Sequence, residues 1–262
     1  MRSRMLLVTI LLFAELALSM TAGMLGGGLA ARIGMIAALA LPLLFLRGAP
    51  AGTPPLRFAI RDRRTLPYLL LLPVFVLLTA AVALGWEALC TLIGYPVKGA
   101  TPMPTVALAL LFDALLPAIL EELLCRGALF SLLRPMGRWA AVGGSALLFA
   151  LMHANVAQIP YALAAGVLLA LLYEVTGSLL FPMLFHLANN LLSLALHFGL
   201  STAHFFLIVG GLTCLALPIL ILLFLKNRIT SPKKEPLRPF LKEFFLSPLL
   251  LWIAVILAIT LL

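Results

Sequence analysis

The chain alternates long apolar runs with short polar segments, and the length of the runs predicts transmembrane helices. A helix that spans a bilayer needs about 20 predominantly apolar residues. Runs near this length occur at 5–25, 33–47, 67–92, 105–133, 139–155, 160–175, 178–198, 204–225 and 244–262. We therefore predict an all-α, polytopic membrane bundle of about eight or nine helices.

The composition excludes an ordinary soluble domain. Hydrophobic residues make up 64% of the 262 residues and charged residues only 10%, whereas a typical globular domain is about 25% charged. The sequence contains neither an internal repeat nor a glycine-rich phosphate loop. We interpret residues 1–262 as a single membrane domain whose chemistry lies within the bilayer.

Basic residues are distributed unevenly between the two sides of the predicted bundle. If the N-terminus is cytoplasmic, all but three of the 18 Lys and Arg residues lie in cytoplasmic segments. The exceptions are Arg32, Lys98 and Arg126. This asymmetry follows the positive-inside rule, and it includes a basic cytoplasmic linker at 226–243 before the last helix. The net charge of +9 then favours contact with the lipid bilayer and its anionic headgroups, and no nucleic-acid partner is expected. The short loops favour a prokaryotic plasma membrane.

Three charged residues interrupt the apolar run at 105–133. Glu121, Glu122 and Arg126 each cost about 2.5–3.5 kcal/mol at the centre of a membrane helix, so they call for a function. Glu122 and Arg126 are one helical turn apart and can pair in the favourable acid-first order. Glu121 points about 100° away from Glu122 around the helix. We expect Glu122 and Arg126 to neutralise each other and Glu121 to remain available for chemistry.

The fifth and seventh spans carry further groups that can transfer protons or donate hydrogen bonds. These are His153 in the fifth span, and His186 and Asn190, one turn apart, in the seventh. A carboxylate, two imidazoles and an amide suit hydrolysis of a peptide bond, through activation of water and stabilisation of an oxyanion. Glu121, His153 and His186 also form a possible zinc-ligand set. Zinc stays open, although the sequence has no HExxH motif.

These groups meet only if the helices are not straight and perpendicular to the membrane. Glu121 lies near the middle of its span, His153 late in its span and His186 early. A tilted bundle, or a fifth helix that is short and displaced toward the cytoplasm, brings them together in a water-accessible cavity. We expect the Glu121 carboxyl and both imidazoles to surround a shared water site.

The order and spacing of these residues resemble the CPBP family, also called ABI, of CAAX proteases and bacteriocin-processing enzymes. This family includes the Ras-converting type II CAAX prenyl endopeptidases, and its motifs are EExxxR, FxxxH, and HxxxN or HxxxD. The resemblance covers residues 113–193 and rests on the following matches: Glu121, Glu122 and Arg126; Phe149 and His153; His186 and Asn190.

The resemblance implies a role for each group. Glu121 and His153 activate water, His186 and Asn190 form the oxyanion site, and Glu122 and Arg126 are a supporting pair. Members of the family are described as metalloproteases by tradition, but the resemblance equally implies a glutamate-dependent mechanism without bound metal.

We expect an intramembrane endopeptidase that cuts a membrane-associated, prenylated or leader peptide near the cytoplasmic face. Nothing in the sequence selects among these substrates. An alternative of a different class is a non-catalytic bacteriocin-immunity or membrane scaffold protein of the same fold, although a scaffold has no use for a costly buried carboxylate. A proton-coupled transporter is a third possibility, which the lack of paired broken helices and repeats disfavours.

Overall fold

The computed structural model describes residues 10, 12–14, 29–45, 57–60, 62–95, 103–226, 253–255 and 258. Within these residues all regular secondary structure is helical, which confirms the predicted all-α fold. The helices are α1 at Leu29–Phe45, α2 at Leu72–Leu92, α3 at 106–133, α4 at Arg138–Met152, α5 at Ile159–Thr176, α6 at Leu180–His197 and α7 at Thr202–Leu225.

Each predicted span from 33–47 to 204–225 corresponds to a helix of the structure, and the observed ends differ from the predicted ones by a few residues. From α3 onward the helices are joined by short turns, so consecutive helices run antiparallel. The first and last predicted spans, and the linker at 226–243, lie almost wholly outside the described residues. The described residues of those two spans, 12–14 and 253–255, are helical and contribute side chains to the core.

Four helical stretches are long and apolar enough to cross a membrane. They are Arg63–Leu92, Ile159–Thr176, Leu180–His197 and Thr202–Leu225. The last of these has only 11% of its most apolar window buried within the protein, so most of its side chains are placed to contact lipid. With the shorter apolar helices α1 and α4, these stretches make the chain an integral membrane protein.

A 3₁₀ helix at Arg63–Leu71 leads directly into α2. Asp62 caps its start, since its side chain accepts a hydrogen bond from the backbone N–H of Arg64 at 2.9 Å. The Arg64 side chain also donates to the Asp62 carboxylate and thereby lowers the pKa of this exposed group.

Helix α3 departs twice from regular α geometry. Its turns widen to π-helix at Leu110–Leu115 and at Leu123–Leu129. Pro117 gives a physical reason for the first, because proline lacks an N–H and its ring clashes with the carbonyl four residues earlier. A wider turn relieves that clash. The second π turn contains Arg126, and such turns occur frequently at functional sites.

The core is most tightly packed where α4 meets α5. A Cβ added to Gly166 of α5 would lie 3.0 Å from the Cα of Ala146 on α4, so the two backbones are nearly in contact. Small residues permit this approach in membrane proteins, where close packing stabilises helix pairs. The C-terminal part of α3 is also tightly packed against its neighbours, because residues 124–133 are all buried.

Candidate active site

A cavity of about 520 Å³ lies between α1, α3, α4, α5 and α6. Glu121, His153, His186 and Asn190 all line it, so the structure brings together the residues that the sequence selected. The convergence depends on a short α4, which has 15 residues and ends at Met152, so that His153 is its C-terminal cap. The positions of these residues along their predicted spans called for such a shortened helix or a tilted bundle.

The buried ion pair of α3 forms as predicted. Arg126 Nη1 donates to Glu122 Oε1 at 2.8 Å, and both side chains are completely inaccessible to solvent. Arg126 Nη2 donates to the carbonyl oxygen of Gly166 on α5 at 2.9 Å, and the guanidinium lies 4.7 Å from the ring centroid of Phe149. A buried charge pair needs such additional partners, because its desolvation is costly. Arg126 therefore ties α3 to both α4 and α5.

Glu122 has a second partner that the sequence did not reveal. The Nδ1 atom of His186 lies 2.9 Å from Glu122 Oε1, the oxygen that also accepts from Arg126. An ionised carboxylate only accepts hydrogen bonds, so in this contact His186 Nδ1 carries the proton. The supporting pair is therefore a triad, and it fixes the orientation of the His186 ring.

Fixing Nδ1 directs the other ring nitrogen of His186 toward Glu121. His186 Nε2 lies 3.8 Å from Glu121 Oε2, too far for a direct hydrogen bond. The Glu121 side chain is 15% exposed, in contrast to the fully buried Glu122. Two polar atoms at this separation can hydrogen-bond the same water molecule, so the gap is one position where water can be activated.

The imidazoles of His153 and His186 both contact the Phe149 ring in an edge-on arrangement. The ring centroids lie 5.1 Å apart for His153 and 5.6 Å apart for His186. His153 Nδ1 lies 2.9 Å from the carbonyl oxygen of Phe149, which can only accept, so Nδ1 carries the proton in this contact. The Phe149 side chain thus positions both imidazoles, which gives a physical role to the phenylalanine of FxxxH.

The two adjacent asparagines of α6 both line the cavity. Asn190, the motif residue, donates from Nδ2 to the carbonyl oxygen of Ala114 in a long contact of 3.4 Å. Asn189, to which the sequence analysis gave no role, has its Oδ1 2.8 Å from the hydroxyl of Thr79 on α2. Sequence reasoning missed Asn189 because its partner lies in a distant helix with no recognisable motif.

Two further polar features of the cavity also escaped the sequence analysis. Arg32 of α1 forms an ion pair with Asp113 of α3, and both residues line the cavity. Tyr161 of α5 lines it as well. Charged residues in an apolar span are a usable signal, but their pairing across the bundle is not visible in the sequence.

The three possible zinc ligands line the same cavity without forming an assembled metal site among the described residues. Among the described residues, no group of three or more His, Cys, Asp and Glu side chains is arranged to hold a metal ion. Glu121, His153 and His186 share the cavity, but the Nδ1 atoms of the two histidines are engaged by Phe149 and Glu122. These contacts leave the Nε2 atom of each histidine available as a ligand, and hydrogen bonds of this kind are usual for histidines that bind a metal. Zinc binding therefore stays a prediction that metal analysis tests.

A family model matches the part of the chain that carries the three motifs. Residues 103–192 match the model of the family described as type II CAAX prenyl endopeptidase Rce1-like, and all three motifs lie within the match. Comparison with curated proteins and with solved structures gave no match. The match covers about a third of the chain, and it supports the resemblance of this part to the CPBP family of CAAX-type membrane proteases.

Proposed function

We propose that the protein is an intramembrane endopeptidase that hydrolyses a peptide bond of a membrane-associated substrate, with Glu121 as the general base. The observation that carries the proposal is the contrast between the two adjacent carboxylates. Glu122 is buried and neutralised by Arg126, whereas Glu121 faces the cavity 3.8 Å from a fixed imidazole nitrogen. A membrane carboxylate that stabilises no other group is a candidate for chemistry.

The reaction begins with a water molecule held between Glu121 Oε2 and His186 Nε2. Glu121 takes a proton from this water as its oxygen attacks the carbonyl carbon of the peptide, and the π electrons of the carbonyl move to its oxygen. Collapse of the tetrahedral intermediate breaks the C–N bond. The protonated Glu121 then returns its proton to the departing nitrogen, so that atoms and charges balance over one turnover.

The oxyanion needs hydrogen-bond donors at the far side of the substrate. The Asn190 amide can supply one, because its Nδ2 carries two hydrogens and its contact with Ala114 occupies only one of them. His186 can supply another only when Nε2 is protonated, since Nδ1–H is held by Glu122. Neutral His153, with its proton on Nδ1, presents Nε2 as an acceptor. This favours His153 as a second contact for the attacking water.

The decisive test is Glu121→Gln, which keeps the shape of the side chain and removes its basicity. Loss of a general base is expected to lower kcat by about 10²–10⁴-fold. The measurement is cleavage of a soluble, random-sequence fluorogenic peptide library by the purified full-length protein in liposomes. The matched control is Glu87→Gln, which makes the same change at an exposed position of α2. Equal activity of Glu121→Gln and wild type would refute the role of Glu121.

The same preparation tests the metal question and the scaffold alternative. Stoichiometric zinc in the active protein, together with loss of activity in a chelator, would replace the Glu121 mechanism. A scaffold or immunity role predicts that partner binding or immunity survives in Glu121→Gln, and loss of that phenotype would count against it.

A further inference from the structure

Among the residues that the structure describes, the catalytic cavity extends from the candidate active site toward one end of the bundle only. Its lining residues run along α3 from Glu121 to Ala109, along α6 from His186 to His197, and along α5 from Leu169 to Tyr161. These directions are N-terminal on α3 and α5 and C-terminal on α6. Because neighbouring helices are antiparallel, all three series lead to the same end of the bundle, where Ser193 and His197 are exposed at the rim.

The other end is closed beneath the active site. Beyond Glu122, residues 124–133 of α3 are all buried. Arg126 fills the space between α3 and α5 through its bond to the Gly166 carbonyl, and it has no accessible surface. A peptide cannot reach Glu121 from this side without separating packed helices.

The closed end is the basic end of the protein. Backbone and side-chain contacts hold it together, as Leu179 N–H donates to the Arg57 carbonyl at 2.7 Å and Arg134 pairs with Glu174 at 2.8 Å. Its described basic residues are Arg57, Arg63, Arg64, Arg134, Arg138 and Lys226.

The open end has a different charge. Trp86 of α2 donates to the Val156 carbonyl at 3.0 Å and marks this end. In the part of the chain that the structure describes, its charged residues are Arg32, which is paired with Asp113, and the exposed Glu87. The positive-inside rule assigns the arginine-rich end to the cytoplasm. The cavity then opens on the opposite side of the membrane.

We propose that substrates reach the catalytic cavity from the extracytoplasmic face of the membrane. The substrate class is then a peptide segment that is exposed at that face or enters the bilayer from it, and not the lipidated tail of a cytosolic protein. This reverses the expectation from sequence that cleavage occurs near the cytoplasmic face. The statement about substrate rests on the proposed function, whereas the statement about access rests only on the cavity and the charge distribution.

Single-cysteine labelling tests the access route without requiring activity. In a full-length background with Cys90, Cys125 and Cys214 replaced by alanine, one cysteine is introduced at the rim by Ser193→Cys or His197→Cys. A matched cysteine is introduced at the basic end by Arg63→Cys. The probe is a charged, membrane-impermeant maleimide, applied separately to right-side-out and inverted membrane vesicles.

We expect the rim cysteines to be labelled in right-side-out vesicles and Arg63→Cys only in inverted vesicles. The opposite pattern overturns the proposal. The proposal is also overturned if the rim cysteines are not labelled in right-side-out vesicles while Arg63→Cys is labelled in inverted vesicles. A cavity that opens to the extracytoplasmic face must admit the reagent from that face. A midpoint of thermal unfolding close to that of the wild-type protein shows that the alanine substitutions of the background leave the fold intact.

Cleavage in oriented vesicles separates this inference from the proposed function. The peptide library is added outside, where it cannot cross the bilayer. Cleavage in right-side-out vesicles and its loss in inverted vesicles supports both proposals. Cleavage only in inverted vesicles overturns the access route and leaves the protease function standing. The expected labelling pattern without cleavage in either preparation supports the access route and counts against the protease function.

Discussion

Replacing Arg126 by methionine removes the cation that holds the buried network together. At the observed 2.8 Å separation from Glu122, the gross attraction is about 6 kcal/mol for an effective dielectric constant of about 20. Removing one partner of a buried pair costs about 3–5 kcal/mol, because the other charge is left uncompensated. Against a typical total stability of about 5–15 kcal/mol, this is a large fraction. We therefore expect Arg126→Met to be severely destabilised.

The double substitution Glu122→Gln/Arg126→Met separates the pair's role in folding from its role in catalysis. Each single substitution leaves a buried charge, whereas the double substitution leaves none. Its loss of stability should be smaller than the sum of the two single losses by about 1–3 kcal/mol. Activity should stay low, because His186 Nδ1–H no longer has a carboxylate to fix the ring.

The assay is reversible thermal or denaturant unfolding of the four proteins in one lipid or detergent system, together with cleavage of the peptide library. Arg63→Met is the control, since the same change at an exposed position should alter stability by no more than about 0.5 kcal/mol. Additive losses in the double variant would refute the coupling. Full activity in the double variant would refute the positioning role of Glu122.

The remaining predictions concern packing and the second asparagine. Gly166→Ala should destabilise the protein by about 1–3 kcal/mol through overpacking, since the added Cβ would lie 3.0 Å from the Cα of Ala146. Unfolding measurements check this prediction, and an unchanged stability would contradict the close contact. Gly143→Ala is its control on α4, where an added Cβ meets no atom within 4 Å, and it should be neutral or stabilising. Thr79→Val should lower the free energy of unfolding by about 1 kcal/mol, because it removes the hydroxyl that Asn189 contacts. Thr79→Ser keeps the hydroxyl and should therefore keep the stability close to that of the wild type. An equal loss in both Thr79 variants would show that the hydroxyl is not what matters.

Helix positions were predictable because a single physical requirement determines them. A lipid-facing helix must be apolar along its whole length, so runs such as 178–198 and 204–225 mark α6 and α7 within a few residues. The Glu122 and Arg126 pair was predictable for a similar reason, since residues one turn apart on a helix are neighbours. Both predictions depend on distances along the chain of no more than one helix.

The features that were missed depend on contacts between distant segments. His186 and Glu122 are 64 residues apart, and Thr79 and Asn189 are 110 apart. Local spacing contains no information about which face of α6 meets α3. The second π turn of α3 has no local signal of the kind that Pro117 provides for the first.

Glu121 lies at the boundary between the open and closed halves of α3, and this position explains how two adjacent carboxylates differ in chemistry. On the N-terminal side, residues of α3 line the cavity, where water can solvate an ionised group at little cost. On the C-terminal side, every residue from 124 to 133 is buried, and a carboxylate there requires Arg126 and His186 as partners. One step along the helix moves the side chain from the closed half to the open half. The two adjacent glutamates thus combine a carboxylate that stabilises the site, Glu122, with one that remains reactive, Glu121. The half of α3 that lines the cavity then determines from which face of the membrane a substrate can arrive.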